Sequence, residues 1–231
     1  MKIFISTDYE EEDFKKDDGE EKIKDEIYDK IFKIINRVVD AYRHTTGEEH
    51  IERLNFLTIT NIYFLDHDVG IYPVDMWITS ATINRSAREI EKFKDILSKD
   101  IKIPLHELLL LDSKSHFNKK IYTLSVVTSF QALEIFLENF LVNAYRRKKY
   151  SEQEIGKKLK QEWRTKERLK KLLKETTGYS LSENKNLWDD WCDIYDKTRK
   201  KVIHYGKDAD EKETRKTLRI CSEIIKRIKS L

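Results

Sequence analysis

One segment limits the possible folds more than any other: residues 121–147, IYTLSVVTSFQALEIFLENFLVNAYRR. On a helical wheel its apolar side chains form one broad face, while Ile135, Phe136 and Val142 lie on the other side. A helix that is apolar nearly all round has to be covered on both sides. A four-helix bundle covers only one side. The second cover is therefore either the N-terminal part of the chain or a second copy of the chain, and we favour a dimer.

The second half of the chain predicts a four-helix up-and-down bundle. Apolar residues recur at helical spacing over roughly 120–147, 152–175, 184–205 and 209–230. The chain contains only six glycines and two prolines, which favours long helices and few turns. Amphipathic helices with short connections are typical of such a bundle. We therefore expect a mostly α protein whose helical domain spans residues 120–231.

Residues 1–119 predict a small α+β domain of unknown role. Helical spacing over residues 27–42 is followed by two segments rich in β-branched and aromatic residues, 53–66 and 70–80. The sequence DHDVG between these two segments is a turn candidate. The pattern predicts an N-terminal helix and a β-hairpin.

The net charge of +3 is unevenly distributed along the chain. Residues 1–120 carry 19 Lys/Arg and 25 Asp/Glu, whereas residues 121–231 carry 26 and 17. Only the second half would therefore attract a polyanion. The two cysteines, Cys192 and Cys221, make no disulfide framework. The start of the chain lacks a signal peptide, and no apolar run reaches the length of a bilayer span. We expect a cytoplasmic protein without a membrane partner.

The stretch TRKKVIHYGK places Arg199 and His204 just before Gly206. An ordinary helix end explains these residues equally well, because basic side chains complement the helix dipole and glycine follows the cap. The spacing is also weak evidence by itself. Two other Arg/His pairs at similar spacing, Arg37/His44 and Arg43/His50, occur in or just after the N-terminal helix.

The surroundings of Arg199 distinguish it from those pairs. Arg199 shares the edge of an apolar stripe with Tyr195 and Val202, and it could reach Glu134, which interrupts the apolar wheel of the first bundle helix. Five residues turn a regular helix by about 140° beyond a full turn. Arg199 and His204 therefore converge only if the helix is ending at His204.

The pattern RKKVIHYG, together with ALEIFLENFL in the first bundle helix, resembles the HEPN domains over roughly residues 120–230. The resemblance implies a metal-independent endoribonuclease, without a cofactor, that acts as a dimer with two Arg/His motifs in one cleft. It implies that Arg199 binds the scissile phosphate, His204 transfers protons, Glu134 orients Arg199 and Tyr205 positions the phosphate. Many relatives belong to toxin–antitoxin or antiviral systems, which suggests a cognate antitoxin as a further partner.

One departure from the family pattern favours an alternative function. The residue after the arginine is usually Asn or another small polar residue in that family, and here it is Lys200. The alternatives are a non-catalytic module that binds RNA, a nucleotide or a partner protein, and a structural dimer in which Arg199 and His204 merely pack.

The basic stretches 146–149 and 156–174 predict an RNA-binding surface, although such runs are more commonly solvated helix faces. Trp163 lies within the second stretch and could stack on a base, although tryptophan is more commonly a core residue. No metal site is predicted, because the DHD at residues 66–68 has no second ligand cluster at a useful spacing. The residues predicted to bind RNA are Arg146, Arg147, Lys157, Lys158, Arg164, Arg168, Lys200 and Lys201.

Overall fold

The structure, a computed structural model, describes residues 19–49, 51–53 and 86–231. The chain divides into two compact units. Unit 1 comprises residues 1–46 and 51–102, and unit 2 comprises residues 47–50 and 103–231. The long continuous part of unit 2 begins at Ile103, whereas the sequence pattern predicts a boundary near residue 120.

Unit 1 is helical in the residues that the structure describes. Helices α1 (Gly19–Thr46) and α2 (Ala87–Ser98) pack against each other. Tyr42 of α1 meets Phe93 of α2 edge to face, with ring centroids 6.2 Å apart. Arg37 donates to the carbonyl oxygen of Leu97 over 3.0 Å. These contacts join two elements that lie far apart in the sequence.

The prediction of an α+β fold is wrong for the described residues, which contain no β-strand. The described part of unit 1 consists instead of helices whose apolar residues follow the helical period. The predicted hairpin segments, 53–66 and 70–80, lie outside the described residues except for Arg53. That prediction rested on β-branched and aromatic composition, which is a context-dependent signal.

Unit 2 is a bundle of helices around one long central helix. Two of its helices change from α-helical to π-helical hydrogen bonding along their length. Helix α6 (165–177) contains the π-helical residues Arg168–Leu172. Helix α7 (185–204) contains the π-helical residues Ile194–His204. A short 3-10 turn, Leu181–Glu183, precedes α7. The remaining helices are α3 (Leu105–Asn118), α4 (Tyr122–Arg147), α5 (Glu152–Gln161) and α8 (Glu211–Lys229).

The second bundle segment of the sequence analysis, 152–175, is two helices rather than one. Helix α5 ends at Gln161 and α6 begins at Thr165. The apolar period continues across the break, with Ile155, Leu159 and Leu169 all buried in the same core. Periodicity therefore did not reveal the break.

Helix α4 packs within unit 2 most extensively against α3 and α8. Buried side chains follow it along its whole length, from Val126 through Leu133 and Leu137 to Tyr145. Helix α3 supplies part of the second cover, because His106 lies against Phe136 with ring centroids 5.0 Å apart. Ile135 and Val142 stay half-buried within unit 2.

By length and composition, α4 could also cross a membrane. Its apolar residues pack instead against the other helices of unit 2, where Phe130 lies against Trp191 with ring centroids 5.7 Å apart. The length and apolarity of α4 are accounted for by its place at the centre of the bundle.

Candidate functional site

An open groove with a volume of about 980 Å³ lies between α4, the connection from α5 to α6, and the π-helical half of α7. Arg199 and His204 both line it, and so does Glu134 on α4. The groove therefore brings together three of the four residues that the HEPN resemblance marks as catalytic. The fourth, Tyr205, is 61% exposed and does not line the groove.

The π-helix explains how Arg199 and His204 reach the same groove. In a π-helix the backbone hydrogen bond joins residues i and i+5. Residue i+5 therefore stands above residue i on nearly the same face. The sequence analysis assumed a regular helix and expected convergence only from the helix ending at His204. The helix does end there, with Gly206 in the left-handed region at φ +61°, but the π-helical register already aligns the two residues.

Glu134 holds Arg199 at the wall of the groove. Nη2 of Arg199 lies 3.3 Å from Oε1 of Glu134, and the guanidinium lies over the ring of Tyr195, 5.0 Å from its centroid. The hydroxyl of Thr165 donates to the same Oε1 over 3.1 Å. The carboxylate of Glu134 thus connects α4 with the start of α6 and with α7.

Arg199 has one hydrogen-bond donor that the described residues leave unused. Its Nε is buried and has no hydrogen-bond partner among the described residues. A buried donor without a partner is uncommon in folded proteins and calls for an explanation. The Arg199 side chain is 20% exposed, so part of its guanidinium can contact an anion in the groove.

His204 is exposed and makes no hydrogen bond or ion pair within the described part of the chain. Its neighbour Lys200 also lines the groove, and the ammonium of Lys200 lies 5.7 Å from the ring centroid of Tyr205. An imidazole that makes no intramolecular hydrogen bond can transfer a proton to or from a ligand.

The structure separates the residues predicted to bind RNA into two groups. Arg164, Arg168 and Lys200 line the groove. The others lie elsewhere on the surface: Arg147 and Lys157 are exposed, and three are paired with acidic partners outside the groove, Arg146 with Glu152, Lys158 with Glu175 and Lys201 with Glu213.

Arg168 supports the groove rather than lying free in it. Its guanidinium donates to the carbonyl oxygens of Glu162 and Leu159 over 3.0 and 3.2 Å, and to Glu138 over 2.8 Å. These bonds hold the connection between α5 and α6 against α4. The sequence showed a cation at this position, but its three partners are set by the packing of helices.

Sequence reasoning missed several groove residues. Lys166 lies within 2.5 Å of Asp196, and its ammonium lies 5.3 Å from the ring centroid of Tyr195. No recognisable motif contains Lys166, Asp196 or Thr165. The only available signal was their placement beside a helix start and within the stretch that leads to Arg199.

No group of three or more His, Cys, Asp or Glu side chains in the described ranges could hold a metal ion. Cys221 is buried, which raises the pKa of its thiol, and Cys192 is half-buried. The DHD at residues 66–68 lies outside the described residues.

Unit 2 is therefore an α-helical bundle whose open groove is lined by an arginine held by a carboxylate and by a histidine that has no partner among the described residues. No protein-family model matches the sequence, and neither a curated protein nor a solved structure gives a significant match. The resemblance to HEPN domains thus stays a prediction from the motif.

Proposed function

We propose that this protein is a metal-independent endoribonuclease of HEPN type that acts as a dimer. One observation carries the proposal: Arg199, oriented by Glu134, and His204, which has no partner in the described residues, line the same open groove. Phosphate binding by a guanidinium and proton transfer by an imidazole are the two tasks that RNA cleavage without a metal requires.

The proposed reaction uses the RNA itself as nucleophile. The 2′-hydroxyl loses its proton to an imidazole and its oxygen attacks the adjacent phosphorus. The bond from phosphorus to the 5′-oxygen breaks, and that oxygen takes up a proton. The products are a 2′,3′-cyclic phosphate and a free 5′-hydroxyl. Arg199 stabilises the negative charge that grows on the phosphate oxygens in the transition state.

A dimer supplies the second proton-transfer group that this reaction needs. The reaction requires one base and one acid, and His204 is the histidine that lines the groove among the described residues. Two grooves placed side by side would provide two imidazoles and two guanidinium groups. The exposed position of His204 at the end of α7 is compatible with such an arrangement.

The test is incubation with RNA in EDTA, comparing the wild type with His204→Ala. We expect the wild type to cleave in EDTA and His204→Ala to be slower by about 10²- to 10⁴-fold, the usual contribution of a general acid or base. His116→Gln is the matched control, because His116 is half-buried in α3 and lies outside the groove. It should cleave like the wild type.

The other outcomes decide between the alternatives. RNA binding without cleavage by either protein would support a non-catalytic binding module, which Lys200 in the groove would suit as a phosphate contact. Cleavage that EDTA abolishes, or that His204→Ala leaves intact, would contradict the proposed chemistry. No interaction with RNA would leave a structural role for Arg199 and His204.

A further inference from the structure

Trp163 is an exposed indole at the edge of the groove. Its side chain is 68% exposed, whereas Trp191 is fully buried and Trp188 is half-buried. Trp163 lines the same groove as Arg199 and His204. The structure thus excludes a core position for Trp163, although tryptophan is more commonly a core residue.

The exposure of Trp163 follows from a firmly held backbone. Trp163 lies in the three-residue connection between α5 and α6, whose carbonyl at Glu162 accepts from Arg168 over 3.0 Å. On the other side of Trp163, Thr165 is buried and bonded to Glu134. The connection is thus anchored at both ends, and one of its anchors is the carboxylate that orients Arg199.

One cation, Arg164, lies against the indole. The guanidinium of Arg164 lies over the ring of Trp163, 5.1 Å from its centroid. Arg164 makes no ion pair within the described part of the chain. A ring that is two-thirds exposed and covered by a cation on one face leaves its other face to a ligand.

We propose that the groove takes single-stranded RNA and that Trp163 stacks on one unpaired base of that strand. This inference rests on the proposed function, because it assigns the substrate class of the same groove. Arg164 and Lys200 bind phosphates of the strand, and stacking sets which phosphate lies at Arg199. A duplex is a poor substrate, since its base faces are already stacked on one another. Aromatic stacking of this kind tolerates every base.

The experiment measures the binding of short all-DNA oligonucleotides, which lack the 2′-hydroxyl and so cannot be cleaved by this chemistry. The proteins are the wild type, Trp163→Ala and Trp163→Phe. Trp163→Ala should weaken single-strand binding by about five- to hundredfold. Trp163→Phe should retain most of the affinity and lose most of the quenching of tryptophan fluorescence that binding causes. Duplex binding should be weaker and unaffected by either change.

Ile203→Ala is the matched control. Ile203 is 42% exposed on the same helix as Arg199 but does not line the groove. Its loss should leave single-strand affinity unchanged. Because Trp163 is mostly exposed and does not belong to the buried core, Trp163→Ala should fold like the wild type, and thermal unfolding checks this.

The outcomes separate this inference from the nuclease proposal. Equal single-strand affinity of Trp163→Ala and the wild type overturns the stacking role, whether or not RNA is cleaved. A loss of affinity in Trp163→Ala with no RNA cleavage by the wild type supports stacking and overturns the nuclease. Failure of the wild type to bind any single strand, together with no cleavage of RNA, overturns both.

Discussion

The two sides of α4 carry polar groups that behave in opposite ways. On the side that faces α3, the hydroxyls of Ser113, Ser125 and Ser129 are fully buried. Ser113 Oγ donates to the carbonyl oxygen of Ser125 over 2.7 Å and lies 2.6 Å from Ser129 Oγ, and Ser125 Oγ donates to the carbonyl oxygen of Ser113 over 2.7 Å. Each of these hydroxyls has at least one partner.

On the side that faces the groove, Glu134 is half-buried and charged. It is shared by Thr165 and Arg199, and Nε of Arg199 is left without a partner among the described residues. Buried neutral hydroxyls that are hydrogen-bonded to one another and to backbone carbonyls join α3 to α4. Charged groups that are partly exposed and partly unsatisfied are available to a ligand. The difference separates the structural side of α4 from the side that we propose to be functional.

The largest effect in this comparison is expected from Glu134→Gln. The amide can still accept from Thr165 but cannot hold Arg199 by charge, so the guanidinium should move away from its position in the groove. We expect RNA cleavage in EDTA to fall by about ten- to hundredfold, the usual cost of misplacing a reacting group. The rate of cleavage under single-turnover conditions checks this.

Stability should hardly change in Glu134→Gln, because a partly exposed ion pair contributes little. Glu152→Gln provides the control. It removes the partner of Arg146, another arginine–glutamate pair, outside the groove. An equal loss of cleavage in both variants would show that Glu134 has no special relation to the site.

Ser113→Ala should lower stability and leave RNA cleavage unchanged, the opposite of what Glu134→Gln should do. It removes the hydroxyl that contacts both Ser125 and Ser129, while Ser129 Oγ keeps its bond to the carbonyl oxygen of Ser125. We expect the free energy of unfolding to fall by about 1–3 kcal/mol. The midpoint of urea unfolding measures the loss, and RNA cleavage below the unfolding transition should be unchanged.

Ser230→Ala is the appropriate comparison for Ser113→Ala, since Ser230 is an exposed serine whose hydroxyl also donates to a backbone carbonyl. It should change stability by less than about 0.5 kcal/mol. If Ser113→Ala slowed cleavage without loss of stability, the assignment of a purely structural role to the α3 side would be wrong.

The smallest effect is a pH dependence of stability, and it comes from a residue of α3. His106 is buried against Phe136, with ring centroids 5.0 Å apart. Burial lowers the pKa of His106 below its ordinary value of 6.5, and the nearby Lys229 lowers it further, while Glu107 opposes the shift. The folded protein therefore favours the neutral imidazole more than the unfolded chain does. As the pH falls through about 6.5, the unfolded chain binds a proton that the folded chain does not, and stability decreases.

The test compares the wild type with His106→Phe in urea unfolding between pH 7.5 and 5.5. The unfolding free energy of the wild type should fall relative to the variant as the pH is lowered. The slope of this difference against pH should correspond to the uptake of at most about one proton on unfolding. His116→Gln should keep the slope of the wild type. Parallel curves for the wild type and His106→Phe would contradict the proposed role of His106.

The helices of unit 2 illustrate how much of the fold the sequence predicts. The first predicted bundle segment, 120–147, corresponds closely to α4, and the last, 209–230, corresponds to α8. The side chain of Asp210 caps the start of α8 by accepting from the amide of Glu213, three residues on, over 2.8 Å. These features depend on residues close together in the chain, and so a local pattern reveals them.

The candidate site was predictable only in part. Glu134 stood out because it interrupts the apolar pattern of its helix, and Arg199 and His204 stood out because they match a family motif. Trp163 was noted as a possible stacking residue, but its exposure could not be predicted. Thr165 gave no signal, because its bond to Glu134 depends on where the connection between α5 and α6 lies relative to α4. The cations could be counted in the sequence, but their partners could not be assigned.

The sequence alone determined that the second half of the chain is helical, basic and built around a helix that needs cover on every side. Only the tertiary structure decided that α3 provides part of that cover, that π-helical hydrogen bonds align Arg199 with His204, and that Arg168 is used to hold a backbone connection. The physical reason is the range of the interactions. Helical period and charge are properties of neighbouring residues, whereas burial, pairing and register are set by which helices pack together.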